Sequence, residues 1–162
     1  MVAKREIRGF TLIELIIVVA ILGAIATMAV PSLKDMLIAT RVRTAASDLF
    51  QAVVLARSEA IKRAASVDVV PSGGDWNNGW SIQVGGVTLD NHEAPSSTTV
   101  AANTSGNITF RLDGRVSTNV RSLTLYTTAA SSTIQARCVV LDASGRASIR
   151  TDTDGNYSNG CN

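Results

Sequence analysis

The sequence has little of what a catalytic site needs. Its 162 residues contain one histidine, His92, and no second histidine or cysteine lies near it in the sequence. This argues against a histidine-rich metal centre and against a histidine-based catalytic triad. A G-x-S-x-G elbow, a Walker phosphate loop and a G-x-G-x-x-G dinucleotide motif are all missing. We therefore predict a non-enzymatic protein with no catalytic residue, metal or cofactor, of about one domain in size.

Charge is scarce and unevenly placed. Charged residues make up 17% of the chain, against about 25% in an average soluble domain, while apolar residues make up 46%. The net charge of +2 comes entirely from residues 1–9, because the rest of the chain holds 12 basic and 12 acidic side chains. The overall charge is therefore no argument for an acidic partner.

The longest apolar run follows this basic leader. Residues 10–33 carry a single charge, on Glu14. As a helix rising 1.5 Å per residue, residues 11–30 would span about 30 Å, the hydrocarbon thickness of a bilayer. We predict a transmembrane helix, with the leader on the cytoplasmic side and the C-terminal part across the membrane. The alternative is an ordinary signal peptide, although its apolar region usually has only about 7 to 15 residues.

Glu14 is the anomaly of this run. On insertion scales, a carboxylate near the centre of an apolar helix costs about 2.5 to 3.5 kcal/mol, and less near the interface. Glu14 could lie near the interface and reach the headgroups. The sharper interpretation is that it waits for a positive charge supplied by another chain.

The motif GFTLIE at residues 9–14, with the basic leader and the apolar run, resembles the class III signal of type IV pilins and of type II secretion pseudopilins. The resemblance implies that a prepilin peptidase cleaves between Gly9 and Phe10 and methylates the new amine of Phe10. It also implies that Glu14 pairs with the Phe10 amine of a neighbouring pilin subunit. An α-amino group has a pKa of about 7.7 to 8.0 and is largely charged at neutral pH.

Gly23 and Pro31 interrupt the helical pattern without ending it. Proline removes a backbone hydrogen bond and costs about 3 kcal/mol in a helix interior, so the segment between the two residues is the weakest part of the helix. In pilins the corresponding segment unwinds when subunits pack into the filament. A simple proline kink is the alternative.

A helical period continues beyond the apolar run. Apolar residues recur at spacings of three and four, at Ile38, Val42, Ala45, Leu49, Val53, Ala56 and Ala60. We predict one helix over residues 11–63, divided into a filament or membrane half (10–33) and an amphipathic half (34–65). With the leader at 1–9 and a β domain at 66–162, the fold class is α+β, and the resemblance implies the type IV pilin fold.

Residues beyond 65 alternate in short runs rich in β-branched side chains. Strands are predicted over residues 66–70, 79–84, 107–112, 121–127, 133–141 and 146–151, separated by glycine-containing turns such as Gly85-Gly86 and Asp113-Gly114. We expect one antiparallel sheet packed on the amphipathic half of the helix, with a long loop over residues 91–107. Trp76 and Trp80 are interpreted as core anchors, although nucleic-acid stacking by the more exposed ring is an alternative.

Two cysteines, Cys138 and Cys161, lie on the translocated side in this topology. In an oxidising compartment a disulfide is the default, and two free thiols are the alternative. A loop of about 24 residues closed in this way contributes roughly 3 kcal/mol by the chain-entropy estimate.

Two further segments narrow the resemblance. ARSEAIKR at residues 56–63 and the W-x-x-G-W-like element at 76–80 are similar to FimT, FimU and GspH, the minor pilin branch. This implies a minor pilin or pseudopilin of the bacterial inner membrane. Its partners would be prepilin peptidase and other subunits at the tip of a type IV pilus or of a periplasmic type II secretion pseudopilus.

Charge placement adds an alternative function. Residues 64–109 sum to −4 and residues 110–150 sum to +4. The opposite charges could dock neighbouring subunits, or the arginines could bind double-stranded DNA through its phosphates. DNA-binding FimT-like pilins carry G-R-x-R near the C-terminus. This chain keeps Gly145-Arg146 but has Ser148 in place of the second arginine, so the candidate residues are Arg146, Arg150 and Arg115.

Overall fold

The computed structural model describes residues 10–103, 105–117, 122–128, 134–157 and 161, with the backbone alone at 28–32. It divides the chain into two units, residues 1–36 and residues 37–162. One helix, α1, covers Leu12–Arg63 and runs through this boundary. Ala64 has a φ of 49°, a left-handed conformation that is uncommon for alanine and follows the end of the helix.

Eight strands follow in the described part of the chain, all paired antiparallel. They are β1 (Val67–Pro71), β2 (Trp80–Val84), β3 (Val87–His92), β4 (Thr99–Ala102), β5 (Ile108–Phe110), β6 (Ser122–Tyr126), β7 (Arg137–Leu141) and β8 (Ala147–Thr151). Two short 3-10 turns, Ser72–Gly74 and Trp76–Asn78, connect β1 to β2.

The strands form two four-stranded sheets. The first has the order β3-β2-β1-β5, with Val69 opposite both Ile82 and Ile108. The second has the order β4-β6-β7-β8, with Val139 opposite Leu123 and Ile149. The expectation of a single sheet is therefore wrong, because alternation along a strand reveals its buried face but not its neighbours.

The core of residues 37–162 lies between α1 and both sheets. Its members are fully or nearly buried apolar residues, and the helix contributes Val42, Ala45, Ala46, Leu49, Ala52, Val53, Ala56 and Ala60. From the strands come Val67, Val69, Trp80, Ile82, Ile108, Phe110, Leu123, Leu125, Val139 and Leu141. The predicted helical stripe from residue 42 to residue 60 is thus the helix's contribution to this core.

The long loop expected over residues 91–107 is also wrong, because β4 lies inside it and β3 ends in it. Both strands lie at sheet edges, where a strand pairs on one side only and needs less apolar alternation. All six side chains of β3 are exposed or half-buried. The Gly85-Gly86 turn was the available signal, since two residues with positive φ are typical of a tight hairpin.

The strand predicted over residues 107–112 is shorter than expected. Leu112 lies within the predicted range, but it is not part of β5 and its side chain is 58% exposed. Strand β5 ends at Phe110 and the chain turns at residues 111–115. The strand therefore ends two residues before the predicted range does.

Candidate functional site

The predicted processing site lies at the start of α1. Gly9 is outside the described residues, whereas Phe10 is described and its side chain is 88% exposed. The next residue, Thr11, precedes the helix and its hydroxyl accepts a hydrogen bond from the Glu14 N–H at 3.3 Å. In return, Glu14 Oε2 accepts hydrogen bonds from the Thr11 N–H at 2.8 Å and the Thr11 hydroxyl at 3.0 Å. This is the reciprocal arrangement of a capping box, which satisfies donors that a helix start leaves unpaired.

This capping role of Glu14 was not predicted. The T-x-x-E spacing of residues 11–14 is its signal in the sequence. Glu14 is therefore the residue that defines where the helix begins, and its carboxylate is oriented towards the backbone immediately after Phe10.

The side chains of residues 10–27 are all exposed, including eleven large apolar ones. Gly23 lies among them, and a Cβ added there would have no neighbour within 4 Å. Pro31 also falls within the bounds of α1. Among the described residues, none of the helical segments meets the length and hydropathy required of a membrane span. The membrane role of residues 10–33 thus stays a prediction.

Two of the three candidate arginines, Arg115 and Arg146, lie on turns with the same hydrogen-bond pattern. In the first, the Arg111 N–H donates to the Arg115 carbonyl at 2.9 Å and the Gly114 N–H donates to the Arg111 carbonyl at 2.8 Å. In the second, Asp142, Gly145 and Arg146 repeat this pattern, with both distances at 3.0 Å. Arg115 and Arg146 therefore occupy equivalent positions, each directly after a glycine with positive φ.

The two turns also contact each other. A Cβ added to Gly145 would lie 2.0 Å from the Gly114 carbonyl oxygen, so only glycine fits there. That carbonyl accepts a hydrogen bond from Arg57 Nε of α1 at 3.1 Å. Neither the contact between the turns nor this role of Arg57 was predicted, since contacts between distant turns leave no periodic signal in the sequence.

An aspartate stabilises each turn. Asp113 Oδ1 accepts a hydrogen bond from the Arg115 N–H at 3.1 Å. Asp142 Oδ1 accepts hydrogen bonds from the Ser144 hydroxyl at 2.6 Å and from the Arg146 N–H at 2.9 Å. The Ser144 hydroxyl, followed by the Arg146 N–H, lowers the pKa of Asp142 below its usual value. At neutral pH the Asp142 carboxylate is therefore charged and holds the turn that carries Arg146.

Strand β8 brings the other candidate to the same place. Arg146, Ser148 and Arg150 line one cavity of about 190 Å³, and Asp142 lines it with them. The side chains of Arg146, Ser148 and Arg150 are exposed. This geometry can present the guanidinium groups of Arg146 and Arg150 to an anion. The Asp142 carboxylate in the same lining offsets part of their positive charge.

The tryptophans do not contribute to such a surface. Trp76 is 4% exposed and Trp80 is 1% exposed, and the Trp80 ring stacks on His92 with ring centroids 5.5 Å apart. Both act as core anchors, and the alternative of nucleic-acid stacking is excluded by this burial. The single histidine is therefore half-buried against the core, with Nε2 at 3.4 Å from Asp90 Oδ2.

The C-terminal segment is tied to the second sheet. A disulfide joins Cys138 of β7 to Cys161, with Cα atoms 5.8 Å apart. Tyr157 stacks on Tyr126 of β6, with ring centroids 4.1 Å apart. Among the described residues, Cys138, Cys161 and the buried Asp152 form the one group with potential metal-ligand atoms within 4.8 Å of each other. Because both sulfurs are joined, these cysteines offer no thiolate to a metal.

Comparison with known proteins agrees with these features. The family model of the type II transport protein GspH matches residues 45–145, and the prokaryotic N-terminal methylation motif matches residues 4–30. No curated protein matches the sequence.

Two crystal structures of the type IV minor pilin FimU of Pseudomonas aeruginosa (strain PAO1) have a similar fold. The form in space group P21 aligns with a TM-score of 0.58 and 19% identity, covering 76% of this chain and 96% of that one. The form in space group P65 aligns with a TM-score of 0.55 and 19% identity, covering 74% and 99%. Since the GspH model covers more than half of the sequence, the chain belongs to the GspH family of type IV pilin-like proteins and pseudopilins.

Proposed function

We propose that this member of the GspH family is a non-enzymatic minor pilin or pseudopilin that prepilin peptidase cleaves between Gly9 and Phe10. The mature subunit then joins the tip or initiating complex of a type IV pilus or of a type II secretion pseudopilus. The observation that carries this proposal is the exposed apolar surface of residues 10–27, which coincides with the matched methylation motif. Such a continuous apolar surface requires lipid or packed helices around it.

The same surface supports an inner-membrane location before assembly. In this proposal residues 10–33 cross the bacterial inner membrane once, the leader is cytoplasmic, and residues 34–162 are periplasmic. The basic leader agrees with the preference of lysine and arginine for the cytoplasmic side. After assembly, residues 10–33 would exchange lipid contacts for contacts with other subunits.

The processing step is tested by mass spectrometry of the membrane form. The expected species begins at Phe10 and carries one methyl group on its amine. A chain that retains Met1, or an unmethylated Phe10, would contradict the proposal. A sample from cells that lack prepilin peptidase is the control and should retain the leader.

Glu14 has a proposed role in assembly in addition to its capping role. Cleavage creates a positive amine on Phe10 of a neighbouring subunit, and a carboxylate in a low-dielectric bundle gains most from a charged partner. Glu14→Gln keeps hydrogen-bonding capacity but loses the charge. We expect this variant to remain in the membrane and to be lost from filaments, whereas Thr11→Val, which removes only the capping hydroxyl, should still assemble.

The choice between the two machines requires the cell. Deletion followed by separate assays of surface pili and of secreted enzymes should affect one of the two. Loss of neither pili nor secretion would contradict a role in either assembly. The Glu14→Gln variant, expressed in the deletion strain, should fail to restore the lost function, because it should not enter filaments.

A second candidate function, DNA binding during uptake, is favoured by the paired turns that carry Arg115 and Arg146. Guanidinium groups presented by two adjoining backbone turns, with Arg150 nearby, suit contacts to phosphates that do not depend on sequence. Mobility shifts of the full chain in detergent, with duplex DNA over a salt series, test this function. Removing two phosphate contacts should reduce the slope of log affinity against log salt by about 2.

Charge-matched variants make this test specific. Arg115→Gln with Arg146→Gln removes the pair on the turns, and Arg146→Gln with Arg150→Gln removes the pair at the cavity. Lys34→Gln with Arg41→Gln removes the same charge from α1 and is the control. Absence of salt-sensitive binding, or equal losses in the three double variants, would eliminate the DNA function and leave the assembly function standing.

A further inference from the structure

A cavity of about 340 Å³ lies between α1 and the end of the second sheet. Its lining comes from three elements and consists of Arg43 and Ala46 of α1, Arg137 of β7 and Ile149 of β8. None of the described residues that line it is acidic. The cavity is therefore cationic, with an apolar wall formed by Ala46 and Ile149.

The strand register explains why an arginine faces this cavity. Side chains alternate along a strand, so Arg137 shares one face of β7 with Val139 and Leu141, which are both buried. Its pairing partner Thr151 lies on the same face of β8, as does Ile149. Arg137 thus occupies the first position of β7 on the core-facing side of the sheet, next to the packed core.

The Arg137 guanidinium is only partly paired. Its Nη1 donates a hydrogen bond to the Thr151 hydroxyl at 2.6 Å. Its Nε is buried and has no acceptor among the described residues. None of the ion pairs between described residues includes Arg137. A buried donor without an acceptor is costly, so this side chain gains from an anion that enters the cavity.

Arg43 supplies a second charge at the same place. It lies one turn before Ala46 on α1, and the exposed residue borders the cavity from the solvent side of the helix. In the part of the chain that the structure describes, the Arg43 guanidinium makes neither an ion pair nor a hydrogen bond with another residue. Two guanidinium groups at one cavity repel each other, and an anion between them removes that repulsion.

The lining favours a carboxylate carried by a side chain. Guanidinium groups pair bidentately with carboxylates, and an apolar wall holds the hydrocarbon stem of an acidic side chain. A phosphate of duplex DNA is flanked by sugars and contacts protruding cationic groups, whereas the Arg137 Nε is enclosed. Arg146 and Arg150 lie on the opposite face of β8 from Ile149, so this cavity is separate from the candidate DNA surface.

We propose that this cavity receives the carboxylate of an aspartate or glutamate from a neighbouring pilin subunit, bound by Arg43 and Arg137 together. The carboxylate pairs with Arg43 and, after a small rotation of the Arg137 side chain, with the unpaired Nε–H. Within the described chain, β8 pairs on one side only, so a neighbour reaches the cavity from outside the domain. This contact presupposes the proposed assembly function and assigns a pair of residues to it.

Binding at the cavity is tested by NMR on the full chain in detergent, with isotope-labelled arginine and with sodium propionate as the probe. Propionate carries a carboxylate on a short hydrocarbon stem, as an acidic side chain does. The Nε–H signals of Arg43 and Arg137 should shift with propionate and reach a plateau, whereas sodium chloride at the same ionic strength should leave them unchanged. Arg43→Gln should weaken the Arg137 response about tenfold. Arg41→Gln, which removes another exposed arginine from the same helix, should not.

Three results of this titration would overturn the proposal. They are the absence of a shift at Arg137 in propionate, an equal response in chloride, and an equal loss of binding in Arg41→Gln. Larger shifts of the same signals with inorganic phosphate or duplex DNA would assign the cavity to phosphates and would also overturn it. Arg43 is exposed, so its variant should fold, and an unchanged circular dichroism spectrum checks this.

Crosslinking in the cell tests the source of the carboxylate. A photoreactive residue in place of Ile149 should give an adduct with a segment of another pilin subunit that contains an aspartate or glutamate. The same residue in place of Val87, which is exposed in β3, is the control and should not give this adduct. An adducted segment without an acid, or the same adduct from both positions, would contradict the contact.

The two experiments together separate this contact from the assembly function. A chain that enters filaments but gives no such adduct overturns the contact and leaves the assembly function standing. A chain that binds propionate but enters no filament contradicts the assembly function, and with it a neighbouring subunit as the source of the carboxylate.

Discussion

Two stretches of the same helix use apolar residues in opposite ways. Along residues 12–27 of α1 every side chain is exposed, and Ile17, for example, is 52% exposed. Along residues 42–60 one stripe is buried, and Leu49 is fully inaccessible. The more apolar stretch therefore buries nothing within the described chain, whereas the more polar stretch forms a core.

The difference lies in the spacing of the apolar residues. From residue 42 to residue 60 they recur every three or four positions, so one face of the helix packs and the face turned away from the core carries exposed polar residues such as Arg43 and Ser58. From residue 12 to residue 27 they surround the helix, with Glu14 as the one charge. A helix that is apolar on all sides suits a membrane or a filament interior, and its burial must come from outside the chain.

Truncating one side chain in each stretch tests this comparison with the largest expected effect. Leu49→Ala should lower the free energy of unfolding by about 2 to 5 kcal/mol, because it removes a fully buried side chain and leaves a cavity. Ile17→Ala should change it by less than about 0.5 kcal/mol, as exposed positions do. Denaturant unfolding of the full chain in detergent measures both.

Filament assembly should respond to the two variants, Ile17→Ala and Leu49→Ala, in the opposite way from domain stability. Ile17→Ala should weaken assembly although the folded domain is unaffected, while Leu49→Ala should reduce the amount of folded subunit. A large loss of domain stability from Ile17→Ala would show that residues 12–27 belong to the same cooperative core, and the contrast between the stretches would fail.

The features that could be predicted from the sequence are those that leave a periodic pattern of apolar residues. The stripe from Val42 to Ala60 has helical spacing because one face is buried, and it could be identified without coordinates. The disulfide partners also followed, since a chain with two cysteines allows a single intramolecular pairing. Six strands were located to within a few residues because they are rich in β-branched residues and because glycine turns bound most of them.

Features that depend on contacts between distant residues were not predictable. The edge strands β3 and β4 were missed, because one-sided pairing imposes little apolar alternation. Gly114 and Gly145 contact each other although they lie 31 residues apart in sequence. The hydrogen bond from Arg57 to the Gly114 carbonyl connects the helix to the first of these turns. Such contacts are set by how the sheets pack, which a single sequence does not record.

A glycine from each region provides the next test. Gly145→Ala should cost about 1 to 3 kcal/mol, because its φ of 82° disfavours a side chain and the new Cβ would overlap the Gly114 carbonyl oxygen. Gly23→Ala has free space and a helical backbone, so it should cost nothing and should favour the helix by up to about 1 kcal/mol. Thermal unfolding of the two variants measures the difference. An equal loss in both would contradict the local explanation.

The pH dependence of stability at Asp142 provides the test with the smallest expected effect. Because the Ser144 hydroxyl and then the Arg146 N–H lower the pKa of Asp142 in the folded chain, folding is favoured while this carboxylate is charged. That contribution is complete above the unfolded pKa of about 3.9 and is lost as the pH falls through the lower folded pKa. Asp142→Asn should lower the Tm by about 1 to 2 °C at pH 7 and by nothing near pH 2.

Ser144→Ala should reproduce part of this profile, since it removes the first of the two donors to Asp142. Glu14→Gln should leave the Tm of residues 37–162 unchanged at every pH, because the hydrogen bonds that Glu14 accepts come from Thr11, within residues 1–36. A pH-dependent loss in Glu14→Gln as large as that in Asp142→Asn would show that the helix start and the folded domain are coupled. The two stretches of α1 would then form one cooperative unit, with the exposed apolar surface as an extension of the core.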